Sequence, residues 1–128
     1  RIAGKTEQEV LEDGWNLSEA QLENLSITEH LRWCAFHFCM GFRPMSREEF
    51  ESRASENLAQ KEKTGKPVIR IGKNMADRTH ACLVSWEELD ELSERENAIT
   101  GKNVNYKAYD TENVLAIPKM LEVRAGKE

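Results

Sequence analysis

The run from Ser26 to Pro44 constrains this chain more than any other segment. Ser26-Ile-Thr-Glu29 has the pattern of a capping box, in which the serine accepts from a backbone N–H three residues on and the glutamate reaches back. A helix is expected from there to about Met40, with Gly41 as terminator and Pro44 preventing continuation. At 100° per residue, Ile27, Leu31, Cys34 and Phe38 share one stripe, and His30, Trp33, His37 and Met40 share the next. Together they make a broad, largely apolar arc, so the helix is expected to lie centrally, with Thr28, Glu29 and Arg32 facing away.

Other elements follow from similar signals. Residues 1–17 are polar, broken by Gly4 and Gly14, and read as a linker or packed extension whose anchors are Trp15 and Leu17. Ser18–Gln21 suits one short helical turn. A second capping box, Ser46–Glu49, opens a helix expected to reach Lys63, with Phe50, Ala54 and Leu58 on one face. Thr64–Pro67 reads as a turn, Val68–Ile71 as a short strand, Asn74–Thr79 as loop, and His80–Val84 as extended. A third box, Ser85–Glu88, opens a helix through Leu89 towards Asn97. Gly101–Ala108 reads as a loop holding Tyr106. Asp110 or Thr111 then caps a last helix with Val114, Ile117 and Leu121 inward, interrupted at Pro118. The expected fold class is mainly α, a single helical domain with one or two short β-strands near Val68–Val84.

At 128 residues the chain can bury a core without disulfides. Its net charge of −5, from 18 basic and 23 acidic residues, argues against nucleic acid as a partner. The charge is nonetheless segregated. Residues 60–80 hold six Lys/Arg against two acids, a candidate phosphate-binding stretch, and residues 87–96 hold six acids against Arg95. Three cysteines (Cys34, Cys39, Cys82) form no disulfide pattern and suit a reducing, cytoplasmic setting. No stretch approaches the ~18–20 apolar residues of a membrane span, so no membrane role is expected. The chain opens on Arg1 rather than Met, which suggests further domains of a longer protein.

Chemistry-bearing residues are few. Trp33 and Trp86 could stack on a purine, with Arg32, Arg70 or Lys73 meeting phosphates. Both indoles could equally be core aromatics, Trp33 more so because of its place on the arc. His30, Cys34 and His37 share a helical face and could approach His80 or Cys82, but no paired short motif accompanies them and no metal is expected. A buried His30 bonded to Glu29, a carbonyl or His80 is the stronger expectation. Cys34 has no orienting third group for nucleophilic chemistry, and G-x-S-x-G, P-loop, G-x-G-x-x-G and EF-hand patterns are all missing. Neither catalysis nor a cofactor is expected.

The order Glu29-His30-Leu-Arg32-Trp33, Gly41-Phe42, His80-Ala-Cys-Leu-Val-Ser-Trp86-Glu-Glu-Leu89, Glu94-Arg-Glu-Asn97 and Asp110-x-x-Asn-Val-x-x-Ile-Pro118 resembles the ryanodine-receptor repeat (RyR domain). Coverage runs from about Leu25 to Leu121, and the resemblance implies a domain over 25–123 with a tail at 124–128. Phe42 stands where the family usually has Trp, Ala81 where it has Pro, and the stretches 42–80 and 94–109 are long. The resemblance implies a compact helical repeat with short extended segments and no established enzymatic activity. It also implies an interaction or ligand-sensing role, with adenine-nucleotide binding associated with some repeats, and a bacterial-type single-repeat member, since bacterial relatives occur alone or fused to other soluble domains. Because the receptor repeats occur as tandem pairs, a homodimer is expected. The expected ligand-binding set is Trp86, Trp33, Arg32, Glu29, His80, Arg70 and Lys73. The alternative is a protein–protein interaction module docking through Ser46–Lys63 and Ser85–Asn97.

Overall fold

The computed structural model describes residues 3–66 and 70–126. The described chain is mainly helical, with a three-stranded sheet of two-residue strands. The helices are α1 (Glu7–Asp13), α2 (Glu19–Cys39), α3 (Arg47–Thr64), α4 (Glu88–Thr100), α5 (Tyr106–Leu115) and α6 (Ile117–Arg124). The strands are β1 (Arg43–Pro44), β2 (Lys73–Asn74) and β3 (Thr79–His80). The chain forms two compact units: one from the chain up to Leu31 together with the chain from Ala108 on, the other Arg32–Lys107. None of the described helices is long and apolar enough to cross a membrane.

In the first unit the polar opening is structured. Thr6 caps α1 by accepting from Glu9 N at 3.2 Å, and Gly14 ends the helix at φ +78°. Val10, Trp15, Val114 and Leu121 form a core, with Leu17, Leu22 and Ile117 packed against it, and α1 lies on α6. Trp15 and Leu17 therefore anchor this segment as expected. The start of α2 is a correction. The capping box that opens it is Ser18–Gln21, with Ser18 N donating to Gln21 Oε1 (2.9 Å) and Gln21 N to Ser18 Oγ (3.1 Å). Ser26 lies inside the helix, fully buried, donating to Leu22 O at 2.7 Å and sharing a hydrogen bond with Thr111 Oγ1 at 3.2 Å. At the end of the chain Asp110 is not a cap but a buried residue within α5, whereas the helix is interrupted as expected, with Pro118 in the first turn of a separate α6.

The inward face of α2 follows the expected arc in part. His30, Cys34 and His37 are buried on it, whereas Leu31 and Phe38, expected on the same arc, are 63% and 51% exposed. The buried polar residues have partners: Thr111 for Ser26, Asp110 for His30 (Nδ1 to Oδ2, 3.5 Å) and Trp33 O for His37.

In the second unit α2 ends in a Schellman motif, with Phe42 N donating to His37 O (3.0 Å) and Gly41 N to Phe38 O (3.0 Å). Gly41 sits at φ +85°, and an added Cβ would lie 3.1 Å from Arg78 Nη1, which itself caps Met40 O at 3.2 Å. Gly41→Ala is expected to lose roughly 1–2 kcal/mol, from the left-handed backbone and the displaced guanidinium. Urea unfolding measures this, and an unchanged midpoint would show that the helix end relaxes without cost.

The motif delivers the chain into β1, which runs parallel to β3, and β3 pairs antiparallel with β2. Of the expected Val68–Ile71 strand, Val68 and Ile69 lie outside the described residues, and Ile71 is buried in a turn. Asn74 and Thr79 belong to the hairpin strands rather than to the loop. The extended His80–Val84 stops at His80, because the amide of Cys82 folds back onto His80 Nδ1 (3.1 Å). Ser46 caps α3 and Ser85 boxes with Glu88 as expected. α3 packs on α4 through a core that includes Phe50, Ala54, Leu89 and Leu92. Tyr106 begins α5 rather than sitting in a loop: its N–H donates to Ser93 Oγ (3.0 Å) and its hydroxyl to the buried Glu96.

Candidate functional site

The last two turns of α2 place Trp33 and His37 four residues apart on one face. His37 Nδ1–H donates to Trp33 O at 2.9 Å, which fixes the ring, and the two rings lie 3.9 Å apart at 33°. The Schellman turn brings Phe42 back to His37 (5.4 Å between centroids, 67°). β3 supplies His80, edge-on to both Trp33 (4.7 Å, 83°) and His37 (5.5 Å, 75°). Four rings from two chain segments thus form one cluster. His80, His37 and Phe42 are buried within it and Trp33 is half-buried.

Cations edge this cluster. Lys73 Nζ stands 5.3 Å from the Phe42 centroid. The backbone carrying Arg70 and Lys73 is held by Arg53 of α3, whose guanidinium donates to Ile71 O (3.0 Å), Arg70 O (2.7 Å) and Lys73 O (2.9 Å). Three carbonyls converging on one planar fork set this turn firmly. Burial, then the positive charges of Arg70, His37 and Lys73, push the His80 pKa down to about 3. Its Nδ1 accepts from Cys82 N, so the neutral ring carries its proton on Nε2. At neutral pH His80 is therefore an uncharged hydrogen-bonding group, far from the near-neutral pKa that suits a general acid or base.

Of the residues singled out in the sequence, Trp33 and His80 meet here, with Arg70 and Lys73 near enough for their charges to act on His80. Arg32 is exposed next to Trp33 on α2. Trp86 has a different setting: it is buried, with Lys107 Nζ 4.9 Å over its ring and that lysine paired to Asp90 at 2.8 Å. Trp33 is thus the more accessible indole, the reverse of what helix position alone suggests. Glu29 belongs to the other unit, where its Oε1 accepts from Asn113 Nδ2 at 3.5 Å. His37 and Phe42 complete the cluster although the sequence did not mark them as ligand-binding. The signal was present in the i, i+4 spacing of Trp33 and His37 and in the turn at Gly41. The Arg53 clamp left no signal, because its partners are backbone carbonyls.

Among the described residues no group of three or more His, Cys, Asp or Glu could hold a metal ion. What the cluster offers chemically is a π surface bordered by fixed positive charge. Comparison of the chain with family models, with curated proteins and with solved structures gives no match.

Proposed function

We propose that this chain is a noncatalytic, ligand-sensing module that takes a nucleotide-like small molecule at the Trp33–His80 cluster. The observation that carries the reading is the half-buried indole of Trp33, backed by His37 and flanked by His80, in the field of Arg70 and Lys73. A base stacks on an indole face whatever its sequence of donors, and a phosphate meets the cations at the cluster's edge. The neutral His80 can donate from Nε2 without adding charge. The resemblance to ryanodine-receptor repeats supports the same reading. Cys34, Cys39 and Cys82, none of them in a disulfide, suit the reducing cytoplasm this role implies. The rival reading, a protein-interaction module, draws on Phe36, Phe38 and Met40, each more than a third exposed near the end of α2.

The test is a thermal-shift and calorimetric titration with adenine nucleotides. Saturating ligand at about a hundredfold its Kd should stabilise the fold by roughly 2.7 kcal/mol. Trp33→Ala should weaken binding by roughly 1–3 kcal/mol, and Lys73→Met should reduce its salt dependence. If no nucleotide shifts the midpoint at millimolar concentration, the sensing reading fails and the interaction reading gains.

A further inference from the structure

A second feature lies in the Arg32–Lys107 unit, separate from the aromatic cluster and independent of the reading above. The groove between the first turn of α3 and the exposed edge of α4 encloses a cavity of about 220 Å³. Met45, Phe50, Ala81 and Leu92, all buried, form its floor. Arg47, Glu88, Glu91 and Arg95 stand around its mouth. On α4 the residues Glu88, Glu91, Leu92 and Arg95 follow i, i+3, i+4, i+7 spacing, so one helical face supplies both charge signs and an apolar wall.

We propose that this cavity binds a free apolar α-amino acid as its zwitterion. The side chain enters over Phe50 and Leu92, the carboxylate meets Arg47 and Arg95, and the ammonium meets Glu88 and Glu91. Volume sets the size of the ligand. Drug-sized ligands occupy pockets of roughly 300–1,000 Å³, so this cavity suits one aliphatic side chain and excludes a nucleotide. Charge sets its chemistry. The mouth carries two guanidinium groups and two carboxylates, so a simple anion meets Glu88 and Glu91 and a simple cation meets Arg47 and Arg95. A ligand with both signs finds an opposite charge at the rim for each of its ends.

The arginines are organised for this task. Arg47 Nε and Arg95 Nε both face Glu51 Oε1, at 3.0 and 3.8 Å, and Arg95 Nη2 donates to Glu91 at 2.7 Å. These pairs hold the forks in place while each guanidinium has further N–H donors for a ligand carboxylate. Glu88 is fixed as well, its Oε1 accepting from Ser85 Oγ at 2.8 Å. Arg95 is mostly buried, with only 20% of its side chain exposed, so its charge acts beside an apolar floor where screening is weak.

The test uses the full chain, 15N-labelled, and L-leucine as probe. Saturable shifts of the Ala81 and Leu92 amides are expected. Removing the ammonium (4-methylpentanoate) or the carboxylate (3-methylbutylamine) should each weaken binding by about tenfold or more, and glycine should give no saturable shift. Arg95→Gln should weaken leucine binding by about tenfold. Should that variant not fold, the ligand series on the unaltered chain decides alone. Adenine nucleotide added to the same sample reports on the Trp33 cluster separately, so failure at one site is not confused with failure at the other. Absence of saturable cavity shifts with leucine at tens of millimolar overturns the proposal. So does binding of the acid or the amine as tight as that of leucine.

Discussion

Acidification from pH 6.5 to about 3 is expected to strip on the order of 4–5 kcal/mol of folding stability through His80 alone, at about 1.4 kcal/mol per unit of pKa. The sign follows from proton counting. In the unfolded chain the imidazole titrates at its ordinary 6.5, whereas in the fold burial and the neighbouring Arg70, His37 and Lys73 hold it down to about 3. Between these values the unfolded state binds the extra proton and the native state does not. The contribution is therefore fully present above 6.5 and lost as pH falls through the folded pKa. The geometry has the same sense: protonating Nδ1 would cost the buried hydrogen bond from Cys82 N. Urea unfolding at a series of pH values, for the unaltered chain and for His80→Asn, isolates the effect, since other groups cancel in the difference. The two curves should converge as pH falls from 6.5 towards 3 and keep a constant gap above 6.5. Parallel curves would mean that His80 is not held neutral. The result also bears on the proposed ligand site, because a charged His80 would add a cation to the cluster and strengthen anion binding in acid.

Phe50→Ala is expected to cost roughly 3–5 kcal/mol, a large share of the roughly 5–15 kcal/mol a domain commands. Phe50 is the largest of the fully buried side chains, 1% exposed, at the α3–α4 packing. It also borders the α3–α4 cavity, so truncation enlarges existing empty space instead of opening a void that neighbours could close. That places the expected loss towards the upper end. The check is a fall in the urea midpoint at constant m-value. A loss below about 1 kcal/mol would mean that Leu92 and Met45 collapse into the space. In that case leucine binding at the cavity should vanish together with the stability penalty.

Legible in the sequence were the helical class, the cap at Ser46, the Ser85–Glu88 box, the stop at Gly41, the break near Pro118 and the inward set Phe50, Ala54, Val114 and Leu121. These rest on local rules: caps, a left-handed terminator, a missing N–H, and apolar spacing on helices with one clear polar face. Tertiary structure decided wherever a polar group had a distant partner. Ser26 looked like a cap because its side chain suits one; Thr111, 85 residues on, gave it a place inside the helix. Leu31 and Phe38 share the expected inward arc yet stay exposed, while His30 on the same arc is buried against Asp110 of a distant segment. The candidate site divides the same way. Trp33 and His37 are legible from spacing. The arrival of His80, the Arg53 clamp on three carbonyls, and the cavity between α3 and α4 depend on backbone positions brought together by folding, which periodicity along one helix does not encode.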